Sequence, residues 1–322
     1  MQPLRIGTRG SQLARYQANA VAALLLERAQ TPCEIVVITT SGDRLAGASL
    51  SEVGGKRLFV KEIEDALLGG TVDLAVHSSK DMPAVLPDGL DVAAVLPRED
   101  PRDAIVLPAP AQPGGLLDDV VAGLGAAPRI GTSSVRRSAQ LVGLFPGARF
   151  LPIRGNLDTR LRKVDSGEFD AIVLACAGLR RLGFADRISA ALSLAACIPA
   201  PGQGIIAVEI RTDDRRVRHR VEPLNDARAR AAFDAERTVV RRLGGGCQMP
   251  LGAYAASDGD NLALTALVIS LDGARAVRAE GHGSAARAAE LGVDVAGRLL
   301  AQGASEILAE VERAQATAGR QS

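Results

Sequence analysis

The chain has 322 residues, enough for two or three domains, and its 47% hydrophobic and 23% charged residues suit a globular protein with sizeable cores. A net charge of +1 argues against nucleic acid as the main partner, because neutralising phosphates leaves a basic excess. No stretch reaches the roughly 20 apolar residues of a membrane span, and the opening Met1-Gln2-Pro3-Leu4-Arg5-Ile6-Gly7 lacks a secretory pattern, so a cytoplasmic protein is expected.

In chain order, residues 4–8 read as a strand, 12–27 as a helix and 33–39 as a β-branched buried strand. Phe59, Ile63 and Leu67 recur at helical spacing, and apolar strands follow at 72–77 and 92–96. Alternating strands and helices imply a mainly parallel sheet. After the charged stretch Arg98-Glu99-Asp100-Pro101-Arg102-Asp103, strands are expected at 104–107, 150–153 and 171–175, helices at 135–144 and 157–164, and a loop at 108–115. The turn Pro199-Ala200-Pro201-Gly202-Gln203-Gly204 leads into a strand at 205–210 that could join either sheet. A helix then ends at Leu243, followed by strands near 253, 262–269 and 274–280 and by helix from 284, the pattern of a small α+β domain. No internal repeat of fixed period is visible. Nor is there a heptad seam or long exposed apolar segment, so a monomer is expected.

The four cysteines, Cys33, Cys176, Cys197 and Cys247, show no paired spacing, and His77, His219 and His282 do not cluster, so no metal site is expected. Ligands of open α/β sheets bind beyond the carboxyl ends of strands, and those positions are polar here. Thr8, Arg9 and Ser11 follow the first strand, and Ser78, Ser79, Lys80 and Asp81 follow residues 72–77. Thr132, Ser133, Ser134, Arg136 and Arg137 open a helix after Gly131; Arg154, Gly155, Asn156 and Arg160 follow residues 150–153. Hydroxyls and free N–H groups at a helix start bind anions, and arginine adds a fork for carboxylate. Any one such end could be a helix cap with solvated arginines; their recurrence points to a ligand with several negative groups.

Lysine is rare, four residues against 34 arginines, yet Lys56, Lys61 and Lys80 fall in one short stretch. Asp81, the one carboxylate of its loop, could stabilise a developing cation and shuttle protons, or simply pair with Lys80. Cys33, Cys176 and Cys197 lie in apolar runs and read as structural. Cys247, in Gly244-Gly245-Gly246-Cys247-Gln248-Met249-Pro250 with Arg241 and Arg242 upstream, could be a reactive thiol or part of a turn that needs glycine.

Together these segments resemble the porphobilinogen deaminase family. The resemblance runs the length of the chain, through Arg5-Ile6-Gly7-Thr8-Arg9, Leu58-Phe59-Val60-Lys61-Glu62, Ala75-Val76-His77-Ser78-Ser79-Lys80-Asp81-Met82-Pro83, Gly131-Thr132-Ser133-Ser134-Val135-Arg136-Arg137, Arg154-Gly155-Asn156, Pro201-Gly202-Gln203-Gly204 and Gly245-Gly246-Cys247-Gln248. It implies an α/β fold of two domains like type II periplasmic-binding proteins plus a small C-terminal α+β domain. The bounds would be 1–99 with 200–222, 100–199, and 223–322, so that the strand at 205–210 rejoins the first domain.

The implied activity is that of a transferase, hydroxymethylbilane synthase. Such an enzyme adds porphobilinogen units head to tail to a dipyrromethane cofactor, held by a thioether to Cys247, and loses ammonia each time. By the same resemblance Asp81 is catalytic, steadying positive pyrrole nitrogens and an azafulvene-like intermediate while assisting proton movement. Cofactor binding would fall to Cys247, Lys80, Asp81, Thr132, Ser133, Ser134, Arg136, Arg137, Arg154, Gly155 and Gln203. Substrate would meet Arg9, Ser11, Lys56, Phe59, Lys61, Ser78, Arg154, Arg160 and Arg181. Arg57 stands where the family commonly has glycine, Ser79 replaces a usual methionine or leucine, and Gly244 extends the glycine run. The competing reading is a non-catalytic anion-binding protein of the periplasmic-binding type, which leaves Cys247 and the third domain unexplained.

Overall fold

The computed structural model describes residues 2–44, 60–245 and 249–318. Lys56, Arg57, Phe59 and Cys247 lie outside the described residues.

The first sheet is built from β1 (Leu4–Thr8), β2 (Cys33–Val37), β3 (Leu74–Ser78), β4 (Leu90–Val95) and β10 (Ile206–Arg211), in the order β2-β1-β3-β10-β4. Helices α1 (Gln12–Ala29), α2 (Ser41–Arg44), α3 (Lys61–Leu68) and α8 (Arg215–Val221) connect or follow these strands. The central strands are near-continuous apolar runs because both faces are covered; Leu74, Ala75 and Val76 of β3 are all buried. Strand β10 runs antiparallel between β3 and β4, so the return segment belongs to this first sheet.

The second sheet holds β5 (Asp103–Val106), β6 (Arg129–Gly131), β7 (Arg149–Leu151), β8 (Ala171–Ala175) and β9 (Ala190–Ala191), in the order β7-β6-β8-β5-β9. Its helices are α4 (Leu117–Gly123), α5 (Val135–Leu141), α6 (Leu157–Asp165) and α7 (Cys176–Arg181). Here too three parallel strands meet one antiparallel strand, β5, which arrives from the first sheet. Each lobe thus has the periplasmic-binding-protein-like arrangement, with the two chain crossings, residues 96–103 and 192–205, running side by side.

The lobes repeat each other down to single contacts. Arg5 at the start of β1 grips Asp73 through its backbone N–H (2.8 Å) and guanidinium (3.1 and 3.0 Å) and donates to the Gly70 carbonyl (2.8 Å). Arg129 at the start of β6 does the same to Asp170 (2.7, 3.2 and 2.7 Å) and Gly167 (2.9 Å). Unequal loops between these points hide the repeat from a search for a fixed period.

The third unit is an antiparallel meander, β11 (Leu251–Asp258), β12 (Asn261–Ile269) and β13 (Ala276–Ser284), packed on α9 (Ala227–Leu243), α10 (Ala288–Ala301) and α11 (Ala304–Ala318). Asp226 caps α9 by accepting the Ala229 N–H at 2.7 Å, and Gly244, in the left-handed conformation, ends it. Ala229 and Phe233 of α9 also bury themselves against Met82, Val92, Val95, Ile205 and Ala207 of the first lobe.

Candidate active site

A cleft of about 660 Å³ lies where the carboxyl ends of the two sheets face each other. From the first lobe it is lined by Arg9, Ser11, Ser78, Lys80 and Asp81; from the second by Ser133, Arg137, Arg154, Gly155, Arg160 and Arg181; Gln203 stands on the crossing turn between them. Twelve residues scattered over the sequence are therefore brought to one cavity.

Local structure explains how each reaches it. Strand β3 ends in a single 3-10 turn, Ser79–Asp81, that lifts Lys80 and Asp81 off the sheet edge. Ser11 caps α1, accepting the Ala14 N–H at 3.2 Å. The crossing turn is held close under β3: Gly202 has φ of 75°, and a Cβ there would sit 2.2 Å from Ser79 Oγ, so only glycine fits.

Six cations, Arg9, Lys80, Arg137, Arg154, Arg160 and Arg181, line this cleft, and among the described lining residues Asp81 is the one carboxylate. Burial pushes the Lys80 ammonium down to about 8, with Arg137 adding repulsion and Asp81 opposing it. Burial likewise lowers Arg160 to about 10, with repulsion from Arg137, and lowers Arg181. Arg154 and Asp81 make no hydrogen bond among the described residues, whereas Arg160 donates to the Gly155 carbonyl (2.9 Å) and Arg181 to the Gly204 carbonyl (2.7 Å). A cavity that holds crowded, partly desolvated cations against one carboxylate favours a ligand carrying several carboxylates. That donor set fits dipyrromethane.

Four expected residues stand elsewhere. Thr132 is buried, and its hydroxyl accepts the Ser134 N–H at 3.2 Å. Ser134 caps α5, accepting the Arg137 N–H. Arg136 does not line the cleft: its guanidinium meets Asp103 Oδ2 at 2.8 Å and donates to the Ile198 carbonyl at 2.7 Å. Lys61 is exposed at the start of α3. Ser133 lines the cleft, yet its hydroxyl is already spent on Ile153, donating to the carbonyl (2.7 Å) and accepting the N–H (3.1 Å).

Two residues went unnoticed in the sequence. Asp103, fully buried at the start of β5, accepts from Arg137 Nε (3.0 Å) and Nη2 (2.7 Å) and from Gln203 Nε2 (2.9 Å). Burial alone would raise its pKa, but Arg136 and Arg137 override burial and hold it far below the usual carboxylate range. Gln203 in turn accepts from Lys80 Nζ at 3.2 Å, so a continuous chain runs from Asp103 to the cleft floor. Gln17, buried on α1, exchanges hydrogen bonds with Ser78 (2.8 and 3.1 Å). A glutamine on a face otherwise made of Ala18, Val21 and Leu25 was the available signal. Among the described residues no cluster of metal-ligating side chains occurs, and no helix is long and apolar enough to cross a membrane.

Comparison with known proteins bears on what this cleft serves. Residues 4–219 match the model of the porphobilinogen deaminase, dipyromethane cofactor binding domain, and residues 231–301 match its C-terminal domain. The porphobilinogen deaminase of Syntrophobacter fumaroxidans is 47% identical over 97% of this chain and 98% of its own length. That of Acidithiobacillus ferrooxidans is 49% identical over 97% and 99%. Solved structures overlap far more loosely. An ancestral arginine-binding protein covers 70% of this chain and 91% of its own at 13% identity and a TM-score of 0.38. A periplasmic substrate-binding protein of Coxiella burnetii covers 69% and 91% at 12% identity and 0.42. The full-length matches support the enzyme and not the non-catalytic alternative. The chain belongs to the porphobilinogen deaminase family.

Proposed function

We propose that this cleft carries out hydroxymethylbilane synthesis on a dipyrromethane joined by a thioether to Cys247, with Asp81 as the catalytic residue. The observation that carries the reading is the placing of Asp81, the one cleft-lining carboxylate and without a hydrogen bond among the described residues, amid six cations at the meeting point of both lobes. When bound, dipyrromethane supplies the nucleophilic pyrrole carbon that joins the aminomethyl carbon of porphobilinogen as ammonia leaves.

The protein's own groups do the rest. Asp81 accepts a pyrrole N–H and balances the positive charge that develops on the rings, since among the described residues it is the carboxylate that lines the cleft. Lys80, Arg137 and Arg154 bind the carboxylates of the cofactor, supported by Ser133, Gly155 and Gln203. Arg9, Ser11, Ser78, Arg154, Arg160 and Arg181 receive the incoming substrate, and the family resemblance assigns Lys56, Phe59 and Lys61 to it as well. Thr132, Ser134 and Arg136 act from behind, by holding the start of α5 and Asp103.

The same reading divides the chain into domains 1–99 with 200–222, 100–199, and 223–322, supported by three separate sheets. It makes the protein a cytoplasmic monomer whose partner is porphobilinogen, without nucleic acid or membrane.

Intact mass of the purified protein tests it. A covalent addition equal to a dipyrromethane, positive with Ehrlich's reagent and lost in Cys247→Ser, is expected. Asp81→Asn should fold and keep the addition yet turn over at least about 100-fold more slowly. An unmodified, fully active protein overturns the cysteine assignment, and near-normal turnover in Asp81→Asn overturns the catalytic one.

A further inference from the structure

Asp81 is exposed and makes no hydrogen bond among the described residues, so its carboxylate is located by its backbone and not by its own side chain. The tether that follows it comes from the third unit. Met82 is buried beside Phe233 of α9, and Arg237, one turn further along that helix, donates from Nη2 to the carbonyls of Pro83 (2.8 Å) and Ala84 (3.1 Å). The Arg237 guanidinium also stacks over Phe233, 5.1 Å from its centroid, which restricts where the fork can point.

The adjacent Glu236 is wholly buried and holds the other wall of the site. Its carboxylate accepts the Gly202 N–H at 2.6 Å and the Ala255 N–H at 2.7 Å, and pairs with Arg98, which itself donates to the Gln203 carbonyl at 2.8 Å. One helix of the third unit thus fixes the segments on both sides of the Lys80–Asp81 turn.

We propose that Arg237 is a positioning residue for the reaction: by clamping the Pro83 and Ala84 carbonyls it sets where the Asp81 carboxylate stands. The inference rests on the reading of Asp81 as catalytic. Arg237 lies outside the cleft lining, so it affects turnover without affecting ligand affinity. Burial lowers its pKa to about 10, with repulsion from Arg241, and it remains cationic at neutral pH.

The test uses the full-length holoenzyme and the variants Arg237→Gln and Arg237→Lys, with porphobilinogen as substrate. Arg237→Gln is expected to lose about 10- to 100-fold in kcat, the effect of a misplacement near 1 Å, with KM and Ehrlich-positive cofactor content unchanged. Arg237→Lys, which keeps a cation and donors, recovers part of that loss. If Arg237→Gln does not fold, Arg237→Lys decides alone, by a reduced kcat at unchanged KM. Unaltered kcat, or a loss seen in KM or in cofactor content instead, overturns the proposal. Failure of the underlying reading shows separately, as near-normal turnover in Asp81→Asn.

Discussion

Asp103 Oδ1 accepts from Arg137 Nη2 at 2.7 Å, with both side chains almost wholly out of solvent. Asp103→Asn keeps the shape but leaves Arg136 and Arg137 without their counter-charge, and breaking a buried pair on one side costs about 3–5 kcal/mol. Urea unfolding at pH 7 should show that loss. Because the folded carboxyl is held far below its ordinary 3.8, its contribution is fully present above that value and lost as pH falls. The gap between wild type and variant should therefore narrow steadily below about pH 3.9.

Lys80 shifts the other way in effect. Between about pH 8 and 10.5 the unfolded chain keeps a proton that the folded chain has released. Stability contributed by this group therefore rises with pH across that window, and below it the folded protein carries a penalty. Lys80→Met should raise the Tm at pH 7 while abolishing turnover, a stability gain at a functional position. Turnover should fall above about pH 8 in the wild type as Lys80 loses its charge, and that fall should vanish in Lys80→Arg.

Two arginines of similar appearance in the sequence should behave oppositely. Arg154 faces the cleft and makes no hydrogen bond among the described residues, so Arg154→Ala should leave the Tm unchanged and raise KM by about 10- to 100-fold, the loss of one charge-assisted bond. Arg136 is committed to Asp103 and Ile198. Arg136→Ala should lower stability by about 3–5 kcal/mol. Thermal melts and steady-state kinetics on the same preparations separate the two.

Glu236→Gln removes the charge that Arg98 pairs with and weakens the acceptor of the Gly202 N–H. About 3–5 kcal/mol of stability should go, and the third unit should melt ahead of the lobes. Calorimetry is expected to show two transitions in place of one.

Much of the site was legible because its signals are local. A strand that ends in hydroxyls, glycine and arginine at a helix start declares an anion-binding end by composition alone, as Thr132 to Arg137 and Arg154 to Arg160 do. Which donors stay available was not legible. Arg136 and Arg137 are neighbours in sequence but stand about 100° apart around a helix, so one turns to Ile198 and the other reaches both Asp103 and the cleft. Thr132 and Ser134 likewise spend their hydroxyls on the turn they start.

The sequence by itself determined the family, the alternation of strands and helices, and the cations that surround Asp81, since each depends on residues close together along the chain. Only the tertiary structure decided that β5 and β10 cross to become antiparallel fourth strands, that buried Asp103 neutralises two arginines and reaches Lys80 through Gln203, and that α9 braces Asp81. Those contacts join residues up to 154 positions apart, such as Arg237 and Pro83, and their geometry arises from packing three units together, which no local pattern encodes.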